Sequence, residues 1–379
     1  MFDLLRQEIA TAAHTVVVKV GTRVLTAADG RLDEPRVTQL AGEISTLVAG
    51  GRKVVLVSSG AVGAGMGQLG LSTRPTDLAH LQAVAAVGQS HLVHHYDRAL
   101  RAHGRQAAQV LLTAEDFDDR SRYLNVRNTL LTLLEYGAVP IINENDTVSV
   151  AELQSTFGDN DRLAALVTNL LRAPLLVLLS DVEGLYDADP DDSSARVIPT
   201  VTDLDESIMS LVHDSATGVG KGGMASKLEA ARIVTTAGEN AIIACGRQDG
   251  TLDRIFAGEQ VGTLLLAQGK SIAPRKRWIA FTAQPRGHLV LDEGAARAIV
   301  ERGSSLLSIG VVQVVGDFTK GDVIALRDKN DREFARGLSN YRSEELRRIQ
   351  GLKTDQIAAA LGHCPYDEVV HRNNLALTS

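Results

Sequence analysis

The stretch "GVGKGGMASK" at residues 218–227 combines flexible glycines with lysines, the composition of a loop that holds phosphate. The P-loop spacing G-x-x-x-x-G-K-[ST] is not met, because Met224 follows Gly223 where that motif needs lysine. The stretch runs into "LEAARIVTTAG", a helical pattern, so the glycines are expected to lead into a helix N-terminus with Lys227 in its first turn. Free backbone amides and the helix dipole attract phosphate there, and Lys227 adds a full charge. Lys19 lies in the apolar run "VVVKVGT", where burial costs several kcal/mol unless the ammonium reaches a cleft or a counter-charge. Gly21 and Thr22 follow it and would let phosphate approach the backbone. Ser58, Ser59 and Gly60 end another apolar run and point hydroxyls and amides toward an anion. "INENDTVS" (142–149) and "FGDNDRLAALV" (157–167) crowd short polar side chains behind a strand and at a helix start.

Each feature has a plainer explanation. Lys19 could be an edge-strand lysine that snorkels to solvent. One residue among Asp159, Asn160 and Asp161 could serve as a helix cap, though three in a row exceed what one cap requires. Gly65, Gly67 and Gly70 match G-x-G-x-x-G, but the match begins several residues past the strand end, and no acidic residue stands ~20 positions later at a following strand. It is discounted as a dinucleotide fingerprint. "HLVHH" (91–95) resembles a metal site in composition, yet no carboxylate sits at a ligand-like offset on the same helix face, so no metal site is expected. "RGSSLL" (302–307) and "RKRW" (275–278) are read as solvated faces.

The elements that position these residues alternate. "TVVVKV" (15–20), "KVVLVSS" (53–59), "AVPIIN" (138–143), "APLLVLLS" (173–180) and "NAIIACG" (240–246) are apolar through consecutive positions, as strands covered on both faces should be. Helical patterns fill 34–49, 78–103, 120–136, 159–172 and 224–237, and several close on glycine. The series implies an α/β fold, a mostly parallel open sheet sandwiched by helices, with ligands at the carboxyl ends of the strands. Near residue 267 the pattern changes to the polar, basic "AQGKSIAPRKRW", read as a linker over 267–285. Short strand-like pieces follow, in "GHLVLDEG", "GVVQVVGDFTKGDVIALRD" and "REFARGLSN", which suggest a small β-rich domain over 286–379 after a first domain over 1–266.

A chain of 379 residues is long for one core. Its net charge of -7 argues against general nucleic-acid binding through the bulk field. Cys245 and Cys364 match no metal or redox spacing and fit a reducing compartment. "MFDLLRQEIATAAH" lacks a continuous apolar core, and no apolar run nears the ~20 residues of a membrane helix. A cytoplasmic location, with no signal peptide and no membrane, is expected.

"VVVKVGTRVLT", "VLVSSGAVGAG", "VPIINENDTV", "FGDNDRLAALV", "LLSDVEGLYDADP" and "GVGKGGMASKLEAA", taken in order, resemble the glutamate 5-kinase family of the amino-acid kinase superfamily. The tail, through "LDEGAARAIVERGSSLLSIGVV" (291–312), resembles a PUA domain. The resemblance implies the amino-acid kinase fold and ATP-dependent phosphorylation of the side-chain carboxylate of L-glutamate, the first step of proline biosynthesis. A carboxylate is already a nucleophile, so the step needs positive charge and in-line alignment more than a general base.

By resemblance, Lys19 and Lys227 supply the charge and Asp161 positions them. Ser59, Asp146 and Asn160 hold glutamate, Asp146 on its ammonium group. Lys19, Ser180 and Asp181 bind ATP together with Lys221, Gly222, Gly223, Met224, Ala225, Ser226 and Lys227. Mg2+ bridges the phosphates, held largely by ATP and water. Lys221 stands where a small or hydroxyl residue is expected, and it either adds a phosphate contact or faces solvent. Proline feedback and a homo-oligomer are expected of the family. Two other readings stay open: a kinase of the same superfamily acting on acetylglutamate, aspartate, carbamate or UMP, and RNA contact through the PUA-like domain, where "RKRW" and "LRRIQGLK" offer local basic charge.

Overall fold

The computed structural model describes residues 3–149, 159–190, 192, 194–213, 221–268 and 274–378. The chain divides into two compact units, Met1–Lys270 and Ser271–Ser379.

The first half of unit one contains α1 (Leu4–Ala12), β1 (Thr15–Val20), α2 (Thr22–Leu25), α3 (Glu34–Ala49), β2 (Lys53–Ser58), α4 (Ala61–Leu69), α5 (Leu78–Arg101), β3 (Ala107–Leu112), α6 (Glu115–Asp118), α7 (Arg120–Glu135) and β4 (Val139–Glu144). Its second half contains α8 (Asp159–Leu171), β5 (Leu175–Ser180), β6 (Thr200–Val201), α9 (Glu206–His213), α10 (Lys221–Thr236), β7 (Asn240–Cys245), α11 (Thr251–Phe256) and β8 (Thr263–Leu265). Among the described residues these strands form an eight-stranded sheet in the order β3-β4-β2-β1-β5-β7-β8-β6. Every pairing is parallel except β7 with β8.

β1 is an interior strand, with Lys19 in register with Val57 on one side and Leu178 on the other. The edge-strand explanation for Lys19 is therefore excluded. Alternate residues of a strand point to opposite faces. Val16, Val18 and Val20 pack with Val37, Leu40 and Ile44 of α3, while Lys19 points the other way, toward α8. Helix starts follow local chemistry: Asp33, Asp77 and Asp119 accept hydrogen bonds from the backbone of Arg36, His80 and Arg122.

Two elements depart from the sequence reading. The strand β3 was not anticipated, because Gln109 interrupts its apolar run and as an edge strand it buries little more than Leu112. The glycine-rich 61–69 segment is a helix. Its glycines allow close packing on α5: a Cβ at Gly65 would stand 1.9 Å from the Val84 carbonyl oxygen, and one at Gly88 would stand 1.8 Å from that of Ala61.

Unit two carries α12 (Pro274–Arg277), a π-helical turn (Trp278–Thr282), β9 (Gly287–Leu291), α13 (Glu293–Arg302), β10 (Val311–Gly316), β11 (Val323–Arg327), β12 (Glu333–Leu338), α14 (Ser343–Ile349), α15 (Thr354–Leu361) and β13 (Leu375–Leu377). Its sheet runs β10-β9-β11-β12-β13 around a core that includes Leu289, Leu326, Tyr341 and Ile349. The "RKRW" stretch is not a solvated face, since Arg277 and Trp278 are buried. Residues 274–282, within the stretch read as a linker, are helical and belong to this unit.

Candidate active site

The carboxyl ends of β1, β2, β4 and β5, the first turn of α8 and the first two turns of α10 supply the polar residues singled out in the sequence. Asp161, in the first turn of α8, lies at the centre. Lys19 Nζ stands 2.6 Å from its Oδ1 and Lys227 Nζ 3.4 Å from its Oδ2. Ser226 donates its hydroxyl to the same Oδ2 at 2.8 Å. All three charged residues are buried. Burial alone would raise the Asp161 carboxyl, but the two ammonium groups outweigh it and hold the group below the usual carboxylate value. Burial also lowers the Lys227 ammonium, against the opposing pull of Asp161.

Lys227 is not in the first turn of its helix, as the sequence suggested. The helix begins at Lys221, which places Lys227 in the second turn, and its ammonium reaches back to donate to the Gly223 carbonyl oxygen at 2.7 Å. Lys221, Gly222, Gly223 and Met224 thus occupy the helix start, where backbone N–H groups have no intrahelical acceptor. Residues 218–220 and the side chains of Lys221 and Gly222 lie outside the described residues, as do Phe157 and Gly158.

A second network adjoins the first through the neighbouring residue of α8. Asn160 donates from Nδ2 to Ser59 Oγ and to Asn143 Oδ1, each at 3.0 Å. Asn143 in turn donates to Gln89 Oε1 at 2.8 Å. Gly60, at φ +105°, turns the chain after Ser59 into α4. Asp146 is buried, and its Oδ1 has no hydrogen-bond partner among the described residues. Burial, reinforced by the Glu144 carboxylate and opposed by Arg74, pushes the Asp146 carboxyl up to about 7. Asp146, Glu144 and Gln89 line a cavity of about 560 Å³ between α5 and the ends of β3 and β4.

On the other side of β1, Ser180 ends β5 and donates to Asp181 Oδ1 at 3.1 Å. Arg23 Nη1 donates to Asp181 Oδ2 at 3.1 Å. Burial would raise the Asp181 carboxyl, and Arg23 overcomes it to hold the group below its ordinary value. Ala225 follows Met224 on α10 and precedes Ser226.

Gln89 and Arg23 were not singled out from sequence. Gln89 sits in the middle of a long helix with nothing local to mark it. Arg23 lay in view within "KVGTRVLT" but acquires meaning only when β5 brings Asp181 beside it.

Away from this centre, the histidines of "HLVHH" do meet a carboxylate. It comes from α3 instead of their own helix: Glu34 Oε1 lies 3.2 Å from His95 Nε2.

The amino acid kinase family model matches residues 14–245, and the PUA domain model matches residues 287–361. The chain is 50% identical over 373 residues to a glutamate 5-kinase of Rhodopirellula baltica, covering 98% of this chain and 96% of that protein. It is 47% identical to one of Thermoanaerobacter sp. (96% of this chain, 97% of that protein) and 46% identical to one of Methylococcus capsulatus (97% and 98%).

Proposed function

The chain belongs to the glutamate 5-kinase branch of the amino acid kinase family, and on that premise we propose that Asp161, Lys19 and Lys227 form its phosphoryl-transfer centre. The protein phosphorylates the side-chain carboxylate of L-glutamate with ATP, which opens proline biosynthesis. The observation that supports this centre is the single buried carboxylate shared by two lysines from separate elements.

The chemistry requires charge in the right place. Two ammonium groups fixed by one carboxylate present preorganised positive charge to the equatorial oxygens of the transferring group. Asp161 is kept ionised by those lysines, so it positions them and is unsuited to carrying a proton through the step. The glutamate carboxylate attacks without a base. Ser59 and Asn160 would orient it, and the unpartnered Oδ1 of Asp146 suits the substrate's ammonium group. ATP would lie against Lys19, Ser180, Asp181 and the helix start Lys221–Lys227, where the amides of Gly222, Gly223 and Met224 face phosphate and Ala225 and Ser226 continue the wall.

Mg2+ would accompany ATP. Asp161 and Asp181 are already engaged by Lys19, Lys227 and Arg23, which fits a metal coordinated by phosphate and water instead of a protein carboxylate cage. It would neutralise phosphate charge during transfer.

Feedback by proline and association with copies of the same chain are carried over from the resemblance as proposals. A cytoplasmic location is proposed on the two free cysteines, Cys245 and Cys364; among the described residues no helix is long and apolar enough to cross a membrane. The RNA reading of the second unit loses part of its basis, since Arg277 is buried and Arg347 is paired with Asp317 at 3.1 Å.

The test is ADP release from Mg-ATP with L-glutamate, aspartate, acetylglutamate, carbamate or UMP, with hydroxylamine present to trap acyl phosphate. Glutamate-dependent hydroxamate, lost in Lys227→Ala and in Lys19→Ala, is the expected result. Full activity in either variant would remove these lysines from the centre.

A further inference from the structure

We propose that Glu34, His91 and His95 form a site for a borderline divalent metal ion of the zinc class, distinct from the phosphoryl-transfer centre. His91 and His95 are one turn apart on α5, with their Nε2 atoms 3.0 Å from each other. Glu34, the first residue of α3, brings its Oε1 to 3.2 Å from His95 Nε2 and 3.9 Å from His91 Nε2. A triangle with those sides has its corners about 2 Å from a common point, which is the length of zinc–imidazole and zinc–carboxylate bonds. The three donor atoms converge where one ion would reach them all.

The donor set selects the ion. Two imidazoles and one carboxylate are the ligands zinc takes when a further coordination position stays open. Magnesium and calcium prefer oxygen and gain little from two nitrogens. His95 is nearly buried, with 8% of its side chain exposed, whereas Glu34 is 49% exposed. The site therefore has a fixed inner wall and an open outer side, by which an ion enters and where water completes its shell. Gln68 Nε2, from α4, lies 3.0 Å from the same His91 Nε2, so its amide must turn away from that nitrogen when an ion binds.

The ligands also join parts of the molecule that matter to the active site. An ion there would tie the start of α3 to α5. The latter helix sends Gln89 to Asn143 and Tyr96 to Ser58, the residue before Ser59.

The test uses untagged full-length protein, stripped with chelator and free of nucleotide, titrated with Co2+ and then with Zn2+. One Co2+ per chain is expected, with a visible d–d absorption band that Zn2+ abolishes and millimolar Mg2+ leaves intact. His91→Ala and Glu34→Gln, both at partly exposed positions, should each weaken Co2+ binding at least tenfold while retaining glutamate kinase turnover in Mg-ATP. Zinc should raise the melting temperature of the wild type and leave both variants unmoved. Co2+ binding that survives in both variants, or is displaced by Mg2+, would overturn the proposal, as would no stoichiometric binding to the wild type. A failure of kinase activity in every protein, with metal binding intact, would count against the phosphoryl-transfer reading and leave the metal site standing.

Discussion

Lys19 and Asp161 form a buried ion pair with 2.6 Å between Nζ and Oδ1, joining the central strand of the sheet to the first turn of α8. Lys227 shares the other carboxylate oxygen, so the aspartate separates two ammonium groups that would otherwise repel each other. Asp161→Asn removes that separation. Turnover should fall roughly a hundredfold or more, since misplaced charge forfeits transition-state stabilisation. Stability should fall by about 3 kcal/mol, as when one member of a buried pair is lost. Hydroxamate formation and a thermal melt measure both, and unchanged turnover would exclude Asp161 from the centre.

The raised carboxyl of Asp146 sets a pH limit. With its value pushed up to about 7, the group is largely protonated below that pH and cannot pair with an ammonium ion. The kcat/KM for glutamate should therefore decline as pH falls through about 7, and Asp146→Asn should raise KM and flatten the decline. The stability effect has the opposite sign. The folded chain holds this proton more tightly than the unfolded chain does, so the group's contribution is favourable at low pH and is lost as pH rises from 3.8 through about 7. The melting temperature of the wild type should therefore fall relative to that of Asp146→Asn as pH rises across that range, and a constant difference would refute the raised value.

Gly88→Ala tests the close contact of α4 and α5. The new methyl would meet the Ala61 carbonyl oxygen at 1.8 Å, and the two helices must separate to admit it. A loss of about 1–3 kcal/mol is expected from overpacking. Because Gln89 is the next residue and holds Asn143, KM for glutamate should rise as well. A variant with wild-type melting and kinetics would show that the helices yield without cost.

Arg23→Ala probes the nucleotide side. The Arg23–Asp181 pair is partly exposed, so its loss should cost less than about 1 kcal/mol of stability. If Asp181 helps seat ATP, KM for ATP rises several-fold with kcat nearly unchanged. Equal KM values would assign Arg23 a purely structural part.

Much of this site could be read from the sequence because strand ends announce themselves. Lys19, Ser59, Asp146 and Ser180 each stand at or just beyond the end of an apolar run, and an open parallel sheet gathers such ends together. Other parts depend on distance in space. Gln89 and Asn143 are 54 residues apart, and no local pattern in "AVGQSHLVHH" marks a glutamine that crosses to β4. The helix α10 starts at Lys221, three residues before the start expected from the sequence, an expectation that followed from the poor helix propensity of the glycines in "KGG". Glu34 escaped notice as a partner for His95 because a search along one helix face does not reach a neighbouring helix.

The strand order has a consequence for how such an enzyme can change. β1 stands at the middle, with β2 and β4 on one flank and β5 and β7 on the other. On the proposed assignment, the acceptor side would draw on the first flank and the nucleotide side on the second. Consecutive residues of α8 serve the two, Asn160 turning to Ser59 and Asn143, Asp161 to Lys19 and Lys227. The proposed catalytic floor would thus be a seam between two halves. On that assignment, mutations on the β2–β4 flank would retune which carboxylate is accepted while the phosphoryl donor stays seated, so substrate range and donor use would be free to evolve independently, provided that those two adjacent residues are kept.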